Sequence, residues 1–176
     1  MDITNILGAL TGNDAVDAIA KNLKIDSKQV SSVITAALPS ILGAMQKNAS
    51  TEGGAAALAK ALGDHAGNAG SIVSNLSGAD ITDGSKILNH IFGGNLSSVI
   101  SGISKQSGVD NNLVGNILSS IAPSLLALLG KGQQSSGTNA AGLAGMLGIL
   151  LGATSGNNNN NGLGSILGGL GKIFGK

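Results

Sequence analysis

The sequence contains no cysteine, arginine, tryptophan or tyrosine, and each absence excludes a kind of chemistry. Without cysteine there is no disulfide framework and no thiolate nucleophile or metal ligand. Without arginine, and at a net charge of +1, the chain has neither the basic stripe nor the guanidinium groups typical of a nucleic-acid-binding protein. Its two phenylalanines are too few to form a base-stacking surface. We therefore expect no nucleic-acid partner.

Charge is scarce as well. Charged residues make up 11% of the chain, against about 25% in an ordinary soluble domain. Because aromatic residues are scarce, the core has to be built from Leu, Ile, Val and Ala. Glycine is plentiful, with 29 residues, and it allows helices to approach closely. Low charge combined with a net charge near zero is typical of a protein that associates with itself.

Targeting and membrane signals are missing from the sequence. Residues 1–10 lack the basic region and the continuous apolar core of a signal peptide. No run reaches the roughly 18 apolar residues that cross a membrane. The nearest is 140–153, which is short and contains four glycines. We expect a cytoplasmic protein.

Two segments, beginning at Asp26 and Asp110, are versions of one amphipathic helix at an offset of 84 positions (110 − 26). Each aspartate stands at an N-cap position, and apolar residues follow at the spacing of a single helix face. The only prolines of the chain, Pro39 and Pro123, occupy matching places in the two segments. Because proline has no N–H to donate inside a helix, we expect a kink or a break at each.

The repetition extends beyond these helices and predicts a tandem duplication. The first repeat covers about 1–66, a linker 67–84, and the second repeat about 85–152. Each copy is too small to bury its apolar stripe alone, so we expect the two to pack into one helical core over 1–152. No stretch alternates with a period of two, and the predicted fold is therefore all-α.

Local signals set the other boundaries. Apolar stripes indicate further helices at 16–23, 55–62 and 140–151. Polar and glycine-rich stretches indicate loops at 48–54 and 131–139. Asp83 is suited to cap a helix that begins at Gly84.

The composition changes after residue 152. Residues 153–162 form an Asn-rich linker with five consecutive asparagines, and 163–176 form a Gly-rich amphipathic tail. Apolar residues recur in the tail at helical spacing: Leu163, Ile166, Leu167, Leu170, Ile173 and Phe174. Each glycine disfavours a helix by about 0.8–1 kcal/mol relative to alanine. We expect this tail to become helical only where a partner holds its apolar face.

The segment Asp80–Gly93, which reads DITDGSKILNHIFG, and the helix containing Ala122–Pro123 resemble a bacterial family catalogued as domain of unknown function 937. The Ala37–Pro39 segment and the short helix that ends in His65 also match, and the resemblance covers about residues 15–130. It implies an all-helical domain with no activity to carry over to any residue. Helix 140–151 and the tail lie outside this pattern.

The two histidines and nearby carboxylates are the candidate metal ligands. His65, Asp80, Asp83 and His90, together with Asp64, offer imidazole and carboxylate groups suited to a transition metal. Structural roles compete with this hypothesis and are favoured. Asp83 fits an N-cap, His65 fits a helix C-terminus that attracts an imidazolium, and His90 falls on a core-facing stripe. We expect no metal or other cofactor.

No catalytic template fits the sequence. Walker, G-x-S-x-G and EF-hand spacings are all missing, so we expect a protein that is not an enzyme. We predict a structural or interaction protein that associates with itself through apolar, Gly-rich helices, including the tail, into oligomers or filaments. Binding of the tail to a membrane surface, and a helical adaptor for another protein, are the alternatives.

Overall fold

The computed structural model describes residue 8 and residues 10–67, 72–137 and 139–154. All regular structure within these ranges is helical, which confirms the all-α prediction. The helices are α1 (Asn13–Leu23), α2 (Ser27–Ala49), α3 (Glu52–Ala66), α4 (Ile72–Ser77), α5 (Ile81–Phe92), a 3-10 turn (Gly93–Asn95), α6 (Leu96–Ser107), α7 (Asn111–Ser136) and α8 (Ala140–Thr154).

The two proline helices begin as the sequence predicts. The Asp26 carboxylate accepts a hydrogen bond from the backbone N–H of Lys28 at 2.7 Å, and Asp110 accepts one from Asn112 at 2.8 Å. Of the two outcomes expected at proline, a kink or a break, the break is wrong, because α2 and α7 each continue through their proline. Burial of long apolar faces on both sides of the proline offsets its local cost of about 3 kcal/mol.

Two of the predicted loops are shorter in the structure. Between α2 and α3, the hydroxyl of Ser50 donates to the carbonyl of Gln46, and that of Thr51 donates to the carbonyl of Asn48, both at 2.8 Å. These bonds satisfy carbonyls that a helix end leaves free, so a turn of two residues is enough. The predicted loop 131–139 is wrong over most of its length, because α7 continues to Ser136 and ends at a left-handed glycine.

The central helices α2 and α7 supply most of the core. The helix that follows each of them packs on the other one, so that α3 lies on α7 and α8 lies on α2, while α5 also packs on α7. The buried apolar side chains of the two central helices include Val30, Val33, Ile34, Ile41, Leu42, Met45, Val114, Ile117, Leu118, Ile121, Leu125 and Leu126.

Two glycines allow helices to lie directly against α7. A Cβ at Gly84 of α5 would overlap the backbone carbonyl of Ser119, and one at Gly130 of α7 would overlap the backbone carbonyl of Leu62 in α3. Close approach of backbones therefore fixes α3 and α5 on α7. In the described part of the chain, α3 and α5 make little direct contact with each other, and a gap is left between them.

The segment Asn111–Gln134 is long and apolar enough to cross a membrane by length and composition, with a mean hydropathy of 1.7. In the sequence, serines interrupt the apolar residues of α7, so 140–153 is the longer unbroken apolar run. Within this protein 78% of the apolar window of α7 is buried, and the core helix of a soluble protein meets the same criterion.

Candidate functional site

The residues considered as candidate metal ligands lie on or beside α3 and α5. His65 on α3 and Asp83 on α5 face each other, with Nε2 and Oδ2 at 3.8 Å. His90 lines the same pocket as His65 but is exposed, so its predicted place in the core is wrong. Leu88 and Ile91 are the buried residues of that turn. Among the described residues, no group of three or more His, Asp or Glu side chains is arranged to hold a metal ion.

Asp80, rather than Asp83, caps α5. Its Oδ1 accepts hydrogen bonds from the backbone N–H groups of Thr82 at 2.8 Å and Asp83 at 3.3 Å. These two bonds hold the pKa of Asp80 below its ordinary value, and the bond from Thr82 has the larger effect. The predicted cap failed because the sequence offers two aspartates one turn apart, and the helix starts at the earlier one. The Asp83 carboxylate is thereby left to face His65.

His65 is oriented by its own helix. Its Nδ1 lies 2.8 Å from the carbonyl oxygen of Ala61, and because a carbonyl only accepts, Nδ1 carries the hydrogen. Nε2 is then the nitrogen that faces Asp83. In its protonated form the imidazole makes an ion pair that links α3 to α5. The side chain is 24% exposed, so this link stands at the edge of the core rather than within it.

A pocket of about 270 Å³ occupies the gap between α3 and α5. Three of its lining side chains are basic or imidazole groups: His65, Lys86 and His90. The other five are apolar: Leu58, Ala61, Ile87, Ile91 and Leu126. The sequence does not predict this site, since there the histidines are interpreted as metal ligands and as structural residues, and not as the lining of a pocket. The one available signal was the i,i+4 spacing of Lys86 and His90, which puts both on one side of a helix.

A second candidate surface is the side of α8 that faces away from α2. Leu143, Leu147 and Leu150 are buried against the core. The opposite side, here called the α8 outer face, is exposed and consists of Gly142, Gly145, Ile149 and Gly152. No residue of α8 is charged. Ile149 is 37% exposed, which is unusual among the large apolar residues of the described chain.

Helix α3 shows what a solvated helix carries in a similar setting, since it packs on α7 as α8 packs on α2. On its exposed side Lys60 Nζ lies 2.7 Å from Asp64 Oδ2. This hydrogen-bonded pair raises the pKa of Lys60 and lowers the pKa of Asp64. An exposed pair of this kind adds little stability, but it keeps the surface hydrated. The α8 outer face has glycine and isoleucine instead of such charges.

Among the described residues, packing does not require Gly145 or Gly152 of the α8 outer face. A Cβ at Gly145 or at Gly152 would have no neighbour within 4 Å. Gly148 differs, because a Cβ there would lie 2.9 Å from Nε2 of Gln46 on α2. Each outer glycine still disfavours the helix by about 0.8–1 kcal/mol relative to alanine. No close contact inside the described chain requires glycine rather than alanine at Gly145 or Gly152.

The residues predicted to carry self-association lie outside the described residues. They are Leu163, Ile166, Leu167, Leu170, Ile173 and Phe174. The structure describes the chain as far as residue 154, at the end of α8, and the sequence continues from that point through 155–176.

The fold and these surfaces define an all-α protein with an apolar pocket between two helices and an uncharged helix at its surface. The chain belongs to a family of bacterial proteins of unknown function, DUF937, which it matches over residues 5–134. The predicted family resemblance is thereby confirmed, and α8 lies beyond the matched range. Comparison with curated proteins gave no match, and neither did comparison with solved structures.

Proposed function

We propose that this protein is a non-enzymatic structural or interaction protein that associates with itself through apolar, Gly-rich helices. The observation that carries the proposal is the exposed and uncharged α8 outer face. An exposed apolar helix face without charged residues is a common kind of interaction site. Glycines along one side of a helix allow the backbone of a second helix to approach closely.

The occupant of the α8 outer face is the tail 163–176 of a second copy. This tail carries an apolar stripe and further glycines, which match the face in chemistry. With no charge on α8, the face offers nothing by which to select a partner electrostatically. Because the tail follows α8 in the same chain, its binding to the next copy is a heterologous contact, which produces rings or filaments according to its geometry.

We also infer that the helical core is a tandem duplication of a small multi-helix unit. Helices α2 and α7 begin at Ser27 and Asn111, an offset of 84 (111 − 27), and each follows a capping aspartate. The exchanged packing of α3 on α7 and of α8 on α2 supports this inference. It means that neither half completes its core alone.

Light-scattering mass after size exclusion tests the self-association over a range of protein concentrations. Ile149→Lys places a charge on the α8 outer face and is expected to yield monomers. Val73→Lys is the matched control, because Val73 is another exposed large apolar residue, 42% exposed, on a different helix. It should leave the mass unchanged. A wild-type chain that is monomeric at every concentration refutes the proposal.

Membrane-surface binding through the tail is the competing outcome. It predicts a monomeric chain that sediments with vesicles of anionic phospholipid and loses this binding when truncated after Ser155. Two lysines in the tail, Lys172 and Lys176, contribute only about 1 kcal/mol each near an anionic surface, so we expect the vesicle-bound fraction to be small.

A further inference from the structure

The pocket between α3 and α5 is separate from the α8 outer face and has a preformed shape. Gly130 and Gly84 hold α3 and α5 against α7 by close backbone contact. Helix α5 is also fixed through side chains. The Nδ2 of Asn48 donates to the carbonyl of Ile91 at 2.9 Å, and Ser85 Oγ lies 3.0 Å from Ser119 Oγ. The walls therefore cannot close on each other without breaking these contacts.

The walls of the pocket are suited to a short hydrocarbon chain. Leu58, Ile91 and Leu126 are nearly fully buried yet line the pocket, so they present core side chains to whatever enters. The volume of about 270 Å³ is close to the lower end of the range of roughly 300–1,000 Å³ for small-molecule sites. A small ligand fits better than a large cofactor.

The polar side chains of the pocket favour an anion. No acidic side chain lines the pocket, whose polar side chains are those of His65, Lys86 and His90. The Lys86 ammonium is positively charged, and a ring N–H of His90 can donate a hydrogen bond. Two acidic side chains lie outside the lining: Asp83 faces His65, and Asp80, whose pKa is lowered mainly by the backbone hydrogen bonds from Thr82 and Asp83, also feels the charge of Lys86. Among the described residues, neither Lys86 nor His90 has a carboxylate within ion-pair distance. Both side chains can therefore contact a ligand directly.

We propose that this pocket binds a small anionic amphiphile, namely a carboxylic acid with a short hydrocarbon chain. The hydrocarbon lies among the apolar walls, and the carboxylate meets Lys86 and His90 at the polar side. An inorganic anion would leave the apolar walls unused, and a neutral alcohol would make no use of the positive charge of Lys86.

Nuclear magnetic resonance titration of the full chain with sodium octanoate tests this proposal. We expect saturable shifts at the backbone amides of Ala61, Ile87 and His90, with octan-1-ol and inorganic phosphate each binding at least about tenfold more weakly, the usual value of a charged hydrogen bond. Absence of saturable shifts with octanoate refutes the proposal. Equal binding of octan-1-ol shows an apolar cavity without anion recognition and also refutes it.

Three variants make the test specific. Lys86→Met keeps an unbranched side chain but removes the charge, and it should weaken octanoate binding about tenfold. Lys105→Met is the matched control, since Lys105 is an exposed lysine on α6 and does not line the pocket. Equal weakening by both would indicate non-specific attraction and overturn the assignment. Ala61→Leu fills the pocket and should abolish binding, with circular dichroism confirming that the variant is folded.

Discussion

Gly84 is the position at which α5 touches the backbone of α7, and replacing it with alanine should destabilise the protein. The new Cβ would overlap the Ser119 carbonyl oxygen and lie 2.8 Å from the Ser119 Cα. These are backbone atoms in the middle of a buried helix, so they cannot rotate aside as the end of a flexible side chain does. The helices have to separate, which weakens the packing of Leu88 and Ile91 on the core.

The size of this effect follows from two opposing terms. Alanine favours a helix over glycine by about 0.8–1 kcal/mol. Overpacking of a core position costs typically about 1–3 kcal/mol, and contact with backbone puts Gly84→Ala at or above the top of that range. We therefore expect a net loss of about 2 kcal/mol in the free energy of unfolding, which corresponds to a Tm lower by roughly 4–8 °C for a chain of this size.

Urea unfolding followed by circular dichroism measures the difference. Gly102→Ala is the control, because Gly102 lies inside α6 and a Cβ there has no neighbour within 4 Å. It should stabilise the protein by up to about 1 kcal/mol. The diagnostic result is that the same substitution lowers the free energy of unfolding at Gly84 and raises it at Gly102. A Gly84→Ala variant as stable as Gly102→Ala would refute the close backbone approach of α5 and α7.

Three further predictions concern the caps and the exchanged helices. Asp26→Ala and Asp110→Ala should each lower the free energy of unfolding by about 1 kcal/mol through loss of an N-cap, whereas the Asn variants should retain most of it. Because the pKa of Asp80 is lowered in the folded state, its carboxylate stabilises the fold above its ordinary pKa of 3.8 and this contribution is lost as the pH falls further. Asp80→Asn should therefore flatten the dependence of Tm on pH in that acidic range, and an unchanged profile would count against the cap. Residues 1–70 and 71–176, expressed separately, should each lack stable helix by circular dichroism and regain it when mixed, and independent folding of either half would contradict the exchanged packing.

The sequence predicts those features of the fold that depend on local signals. The helical class follows from apolar periodicity, and the starts of α2 and α7 follow from Asp26 and Asp110, where a side chain meets a backbone N–H two residues later. It errs where a local preference competes with packing. Pro39 and Pro123 disfavour a helix locally, but the burial of residues on both sides outweighs that preference.

The candidate sites depend on contacts between helices distant in sequence, which periodicity does not report. The sequence predicts His90 on the core-facing stripe, but Leu88 and Ile91 occupy the buried side of α5 and His90 lies exposed at the pocket. The pocket itself exists because Gly84 and Gly130 bring two helices onto α7 at positions that leave a gap between them. A single sequence gives no indication of how far apart α3 and α5 lie. By contrast, the absence of charge on α8 is visible in the sequence, but the structure shows which of its sides is exposed.

Light-scattering mass after size exclusion, comparing the full chain with a chain ending at Ser155, tests self-association through the tail most directly. We predict an oligomeric or polymeric full chain whose mass rises with concentration, and a monomeric truncated chain. If both chains are monomers at every concentration, self-association is wrong. If both are oligomers of equal mass, the contact lies within the helical core and the tail does not occupy the α8 outer face.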